Sequence, residues 1–134
     1  MEPRTFDLTT TYVRLDAEGG ALPLVVDEDF WADVMAGRST AIDSGTLVGA
    51  FPYGADWDQS EVHPAGDELV VLLEGRIDLI LERDDGDERL ALEAGKAVLV
   101  PRGVWHRAEV HTPGVALHVT PGAGTQHRPL RLTG

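Results

Sequence analysis

Two stretches of this chain concentrate the residue types that hold metal ions. The first is Glu61-Val62-His63-Pro64-Ala65-Gly66-Asp67-Glu68. Side chains alternate along a strand, so Glu61 and His63 face the same side, where a carboxylate and an imidazole can share one ion. Pro64-Ala65-Gly66-Asp67 supplies turn residues that bend the chain and let Glu68 return toward His63 from the start of the next strand. The second stretch runs from Gly95 to His106 and puts Pro101 and Gly103 in a tight turn, with His106 opening the strand that follows. It offers a fourth donor. The candidate metal ligands are His63, Glu68 and His106, with Glu61 either joining them or standing beside the ion as an acid or base. The chain contains no cysteine, so any such site uses imidazole and carboxylate donors alone.

Short strands must position these groups. Between Gly45 and Thr120 the sequence breaks into short apolar runs separated by turn signals, the spacing of a sandwich or barrel and not of alternating strands and helices. Strands are expected over 46–51, 68–73, 76–82, 89–92, 97–100, 104–110 and 115–120. Gly75 marks a bend between 68–73 and 76–82, which are expected to lie side by side, and Asp84-Asp85-Gly86-Asp87 reads as a hairpin turn. Thr5 to Val13 reads as an extended N-terminal arm or edge strand. One helix is expected: Asp27 caps it, Phe30, Trp31, Val34 and Met35 recur at helical spacing, and Gly37 stops it. The tail from Pro121 to Gly134 reads as irregular chain lying over the barrel surface.

A length of 134 residues suits one domain, spanning 1–134, with 1–43 as arm and short helix and 121–134 as tail. No apolar run is long enough for a membrane helix, and the N-terminus lacks a basic patch followed by an apolar stretch, so a soluble, cytoplasmic protein without membrane contact is expected. The formal charge of -12 repels phosphate backbones, which argues against nucleic acid as a partner.

The two ligand stretches resemble the two motifs of the cupin superfamily. His63, Glu68 and Gly75 fall where the first motif has its second histidine, glutamate and closing glycine. Gly95, Pro101, Gly103 and His106 fall in register with the second motif. Three positions depart from the pattern: Glu61 stands where the first histidine belongs, Val110 where the closing asparagine belongs, and Ala55 where the opening glycine belongs. The match covers 55–75 and 95–110. Trp105-His106-Arg107 together with the tail phrase 119–129 looks like a bacterial group of small single-domain cupins, a likeness that supplies no reaction. The resemblance implies an all-β fold, the double-stranded β-helix or RmlC-like jelly-roll barrel, with one short N-terminal helix. It also implies a homodimer, for which the arm 5–13 is the segment to suspect.

The usual cupin site surrounds a divalent ion with three imidazoles and one carboxylate. With Glu61 bound instead of a histidine, the charge of ion plus ligands falls from about +1 to about zero, which raises the pKa of bound water and favours the higher oxidation state of a redox metal. Oxygen donors favour Fe2+ or Mn2+, with Zn2+ or Ni2+ as alternatives. If Glu61 stays outside, His63, Glu68 and His106 form a two-histidine, one-carboxylate face with open positions. Glu61 could also be a surface carboxylate paired with Arg102 or Arg107. Tyr53, Trp57 and Trp105, with Phe51, are candidate walls of an apolar substrate pocket, while His111, His118 and His127 are not expected to be ligands. The expected function is a metalloenzyme of oxygenase, isomerase or cyclase type acting on a small oxygen-bearing molecule. Two alternatives stand beside it: a non-catalytic small-ligand module, and a metal-free isomerase or epimerase using the Glu61 and Glu68 pair.

Overall fold

Two long, bent strands set the architecture. They belong to a computed structural model that describes residues 4–130, so the parts of the arm and tail at 1–3 and 131–134 lie outside the described residues. In chain order the elements are β1 (Thr11–Leu15), β2 (Ala21–Val25), α1 (Phe30–Met35), β3 (Thr46–Tyr53), β4 (Gln59–Val62), β5 (Glu68–Arg83), β6 (Gly86–Glu93), β7 (Ala97–Val100), β8 (Trp105–Pro121) and β9 (Gln126–Pro129). The segments 68–73 and 76–82 are therefore two halves of one strand and not neighbours, and 104–110 and 115–120 merge likewise into β8.

Pairing explains why they merge. The first half of β5 pairs with β7 and with the second half of β8, and its second half pairs with β6 and the first half of β8. Each long strand thus passes from one side of the barrel to the other, and the result is an all-β jelly roll. The β5–β8 register slips around Glu74 and Arg76. Before the slip Val70 and Leu72 point inward; after it Ile77, Leu79 and Leu81 do. A period of two would turn one of these sets outward, so the irregularity keeps both on a single core. Gly75 adopts φ +92 there, and a side chain at Gly114 would collide with the Glu74 carbonyl, so both glycines are required by the close crossing.

The hairpin signal holds: Arg83 pairs with Gly86 across Asp84-Asp85. The helix is shorter than expected. It starts at Phe30, the Asp27 carboxylate instead accepts the Asp29 N–H at 3.0 Å, and Gly37 at φ +75 ends it. The arm turns at 8–10 before β1, which runs on to Leu15 and pairs with the unexpected strand β2. Pro23 within β2 obscures a strand reading and is tolerated because β2 is the edge of its sheet. Phe30 and Ile42 pack with Tyr12 and Leu47 in a second apolar cluster, against which Trp31 and Phe51 lie.

Candidate metal centre

Three adjacent strands place the carboxylate of Glu61. On β4 it lies directly opposite His106 of β8 on one side and His127 of β9 on the other. His63 follows the end of β4, and Glu68 is the first residue of β5. Two loops are tied together beneath them: the Gly103 N–H donates to the His63 carbonyl at 3.1 Å, and the Arg102 N–H donates to the Asp67 carboxylate at 2.8 Å. Gly103 takes φ +76 to make that turn.

One ligand atom from each of Glu61, His63, Glu68 and His106 lies within 4.8 Å of all the others. Both imidazole Nε2 atoms stand 3.4 Å from Glu61 Oε1, and each is 3.2 Å from a Glu68 oxygen. These approaches lack hydrogen-bond geometry: His63 Nε2, His106 Nε2 and Glu68 Oε1 are buried with no hydrogen-bond partner. Buried polar atoms left in this way are costly, and several aimed at a common point fit a cation that they would share. The far side of His106 agrees. Its Nδ1 lies 3.0 Å from the Val104 carbonyl, which only accepts, so Nδ1 carries the hydrogen and Nε2 offers its lone pair in the neutral ring.

A further ring of side chains orients these donors. His63 Nδ1 meets the Thr125 hydroxyl at 2.9 Å, and His127 Nε2 lies 3.3 Å from Glu61 Oε2. Thr120 donates to Glu68 Oε2 at 2.6 Å, and His118 Nδ1 lies 3.3 Å from the same oxygen while its Nε2 meets the Tyr53 hydroxyl. Neither His118 nor His127 joins the four-residue group, yet each touches one of its carboxylates. A signal for His118 exists in the sequence: it shares strand parity with His106 and Thr120 and so faces the same interior. His127 carries no comparable signal, because the tail containing it was expected to be irregular and instead forms β9.

Electrostatics bind the cluster tightly. Burial disfavours a charged His63 or His106, but the close approach and negative charge of the Glu61 and Glu68 carboxylates outweigh it, raising the imidazoles to about 9 and about 10. Burial likewise opposes ionisation of Glu61 and Glu68. The surrounding histidines prevail and hold both well below the usual carboxylate range. Protons on the imidazoles thus balance two buried carboxylates, a balance that a divalent cation would take over.

The cluster borders a cavity of about 510 Å³ that also has Trp31, Phe51, Tyr53 and Trp57 in its walls. Trp105, expected there, is not among the lining residues: it neighbours His106 on β8 and so faces the other way, where the Arg128 guanidinium lies 4.1 Å over its ring. Glu61 is no surface carboxylate either. Its side chain is 18% exposed and its ion-pair partners are histidines, whereas Arg107 binds Glu82 and Asp87.

Residues 47–121 match the family of the cupin domain. The chain belongs to the cupin family. No curated protein sequence matches this cupin. Solved structures with a similar fold include the Mn(II) oxalate decarboxylase of Bacillus subtilis, 19% identical over 63% of this chain and 23% of that one, with a TM-score of 0.50. Others are hydroxypropylphosphonic acid epoxidase from S. wedmorenis in complex with fosfomycin (18% identity, 56% of this chain and 43% of that one, TM-score 0.49) and hydroquinone 1,2-dioxygenase from Sphingomonas sp. TTNP3 with 4-hydroxybenzoate bound (18%, 56% and 58%, 0.48). The cupin spans at most 58% of these three chains, and at this identity the likeness is one of fold.

Proposed function

We propose that this cupin is a divalent-metal enzyme acting on a small oxygen-bearing organic molecule, with His63, Glu68, His106 and Glu61 holding the ion. One observation carries the reading: four donors from separate segments converge within 4.8 Å, three of the atoms facing that point are buried without hydrogen-bond partners, and a cavity opens beside them. Glu61 Oε1 stands in the same relation to both imidazoles as the Glu68 oxygens do, which supports ligation by Glu61. Two carboxylates in the donor set favour Fe2+ or Mn2+, with Zn2+ or Ni2+ less suited. A bound ion supplies Lewis-acid polarisation of a substrate oxygen and, when redox-active, electron transfer.

The chain's own residues do the rest. Thr125 and the Val104 carbonyl fix the two imidazole rings, and Thr120 and His118 hold Glu68. His127 engages the second oxygen of Glu61 and so fixes the orientation of this carboxylate toward the ion. Trp57 and Phe51 give the cavity beside the cluster an apolar wall against which a substrate can pack.

Elemental analysis of the purified protein and of its Fe(II)- and Mn(II)-reconstituted forms tests the reading. An equimolar metal content in the parent and its loss in His63→Ala are expected, followed by turnover of enols or phenols. A protein that takes up no ion after reconstitution would overturn it, and activity surviving exhaustive chelation would favour the metal-free carboxylate pair. We also propose a homodimer formed through the N-terminal edge, supported by Leu22 and Val25 of edge strand β2, which are exposed.

A further inference from the structure

Charge is distributed unevenly around the cavity. Phe51, Trp57 and Trp31 give it aromatic walls, Asp56 and Asp58 add carboxylates to those of the cluster, and among the described residues none that lines it is Lys or Arg. The arginines on the two strands flanking β4 are committed elsewhere: Arg107 and Arg128 both bind Glu82, and Arg128 also covers Trp105. Asp56 is fixed in place by the Val110 N–H, which donates to its carboxylate at 2.6 Å. A divalent ion on two carboxylates leaves the cluster with a charge of about zero, so it has no surplus attraction for a second anionic group. Away from the cluster an anion in this cavity meets mainly apolar and aromatic side chains and the Asp56 and Asp58 carboxylates. Gln59, Thr125 and the imidazoles of His118 and His127 are polar neighbours, but no Lys or Arg among the described lining residues pairs with it, and burying it unpaired is costly. An ammonium meets rings and carboxylates that favour it.

We propose that the substrate is an uncharged or amine-bearing, largely apolar molecule that presents its oxygen atoms to the cluster and carries no second anionic group. This deepens the metal-cupin reading and rests on it. Dicarboxylates, phosphonates and carboxylated phenols are poor ligands; neutral phenols, enols and hydroxylated amines are good ones.

Three probes with the same vicinal hydroxyl pair separate the cases: 4-methylcatechol, dopamine and 3,4-dihydroxybenzoate. Binding to the Mn(II)-loaded protein is read by calorimetry and by quenching of tryptophan fluorescence, since Trp31 and Trp57 line the cavity. The benzoate should bind roughly tenfold or more weakly than the other two. Equal or tighter binding of the benzoate, or no binding of any probe, overturns the proposal. Gln59 also lines the cavity and shares a strand face with Glu61, so Gln59→Arg should strengthen benzoate binding roughly tenfold and leave 4-methylcatechol unchanged. A variant that does not narrow the gap counts against the proposal. Mn(II) uptake is measured first, without organic probe, and the probe order is repeated by fluorescence on metal-free protein. Absent uptake with the order preserved refutes the metal reading alone; normal uptake with the order reversed refutes only the charge selectivity.

Discussion

Glu82→Gln should remove an acid-sensitive share of this protein's stability. The Glu82 carboxylate lies within the barrel wall and receives Ser60 Oγ of β4 at 2.7 Å, Arg107 Nη1 of β8 at 2.6 Å and Arg128 Nη2 of β9 at 2.9 Å. Burial opposes its ionisation, but the bonds from Arg128, Ser60 and Arg107 outweigh it and hold the pKa at about 2, against an ordinary 4.5. The folded value lies below the unfolded one, so the contribution is fully present above about pH 5 and is lost as pH falls from about 4.5 through about 2. The whole shift corresponds to about 3 kcal/mol, and since Arg128 is partly exposed and screened by solvent, about 2 kcal/mol is the share expected in practice. Urea unfolding of the parent and the variant at a series of pH values measures it. The stability gap between them should be constant from about pH 7 to pH 5.5 and shrink by about 1 kcal/mol or more near pH 3. Taking the difference cancels the titration of Glu61 and Glu68, which both proteins share. A gap independent of pH over that range would refute the role given to Glu82, and with it the account of how β9 is fastened to the barrel.

His127→Phe keeps a ring of similar size but removes the contact to Glu61, so Mn(II) affinity should fall by roughly 10- to 100-fold while thermal unfolding of the metal-free protein changes little; titration calorimetry and a melting curve check both. Gly114→Ala drives a methyl group into the Glu74 carbonyl at the crossing of the two long strands and should cost about 1 to 3 kcal/mol, measured by urea unfolding. Leu22→Asp combined with Val25→Asp should convert a dimer to a monomer in light scattering, and an unchanged mass would exclude the β2 edge as the contact.

Much of the candidate site was legible before any coordinates. His63, Glu68 and His106 could be picked out as candidate donors because they sit at strand ends next to obligatory turns, and Pro64, Gly66, Pro101 and Gly103 announce those turns by their own backbone restrictions. The β content, the Asp84-Asp85 hairpin and the helix around Phe30 were visible for the same reason: each is a local property of residue type and spacing. The likeness to the cupin motifs added the jelly roll, which periodicity alone left as a sandwich or barrel.

Pairing across the barrel was not legible, because a strand's partner depends on residues far away in the chain. Local signals around Gly75 and Pro113-Gly114 mark bends, and only the partners on each side show that the halves are continuous strands with a slipped register. The same dependence decides the side chains around the candidate donors. His127 reaches Glu61 because β9 docks beside β4, and Arg128 on the same strand is turned toward Glu82 and Trp105. Residue types and spacing determined which candidate donors this cupin carries. Tertiary structure alone decided that Glu61 lies inward between two histidines, that Trp105 faces away from the cavity, and that no lysine or arginine among the described residues lines it, since each depends on which strands meet and in what register.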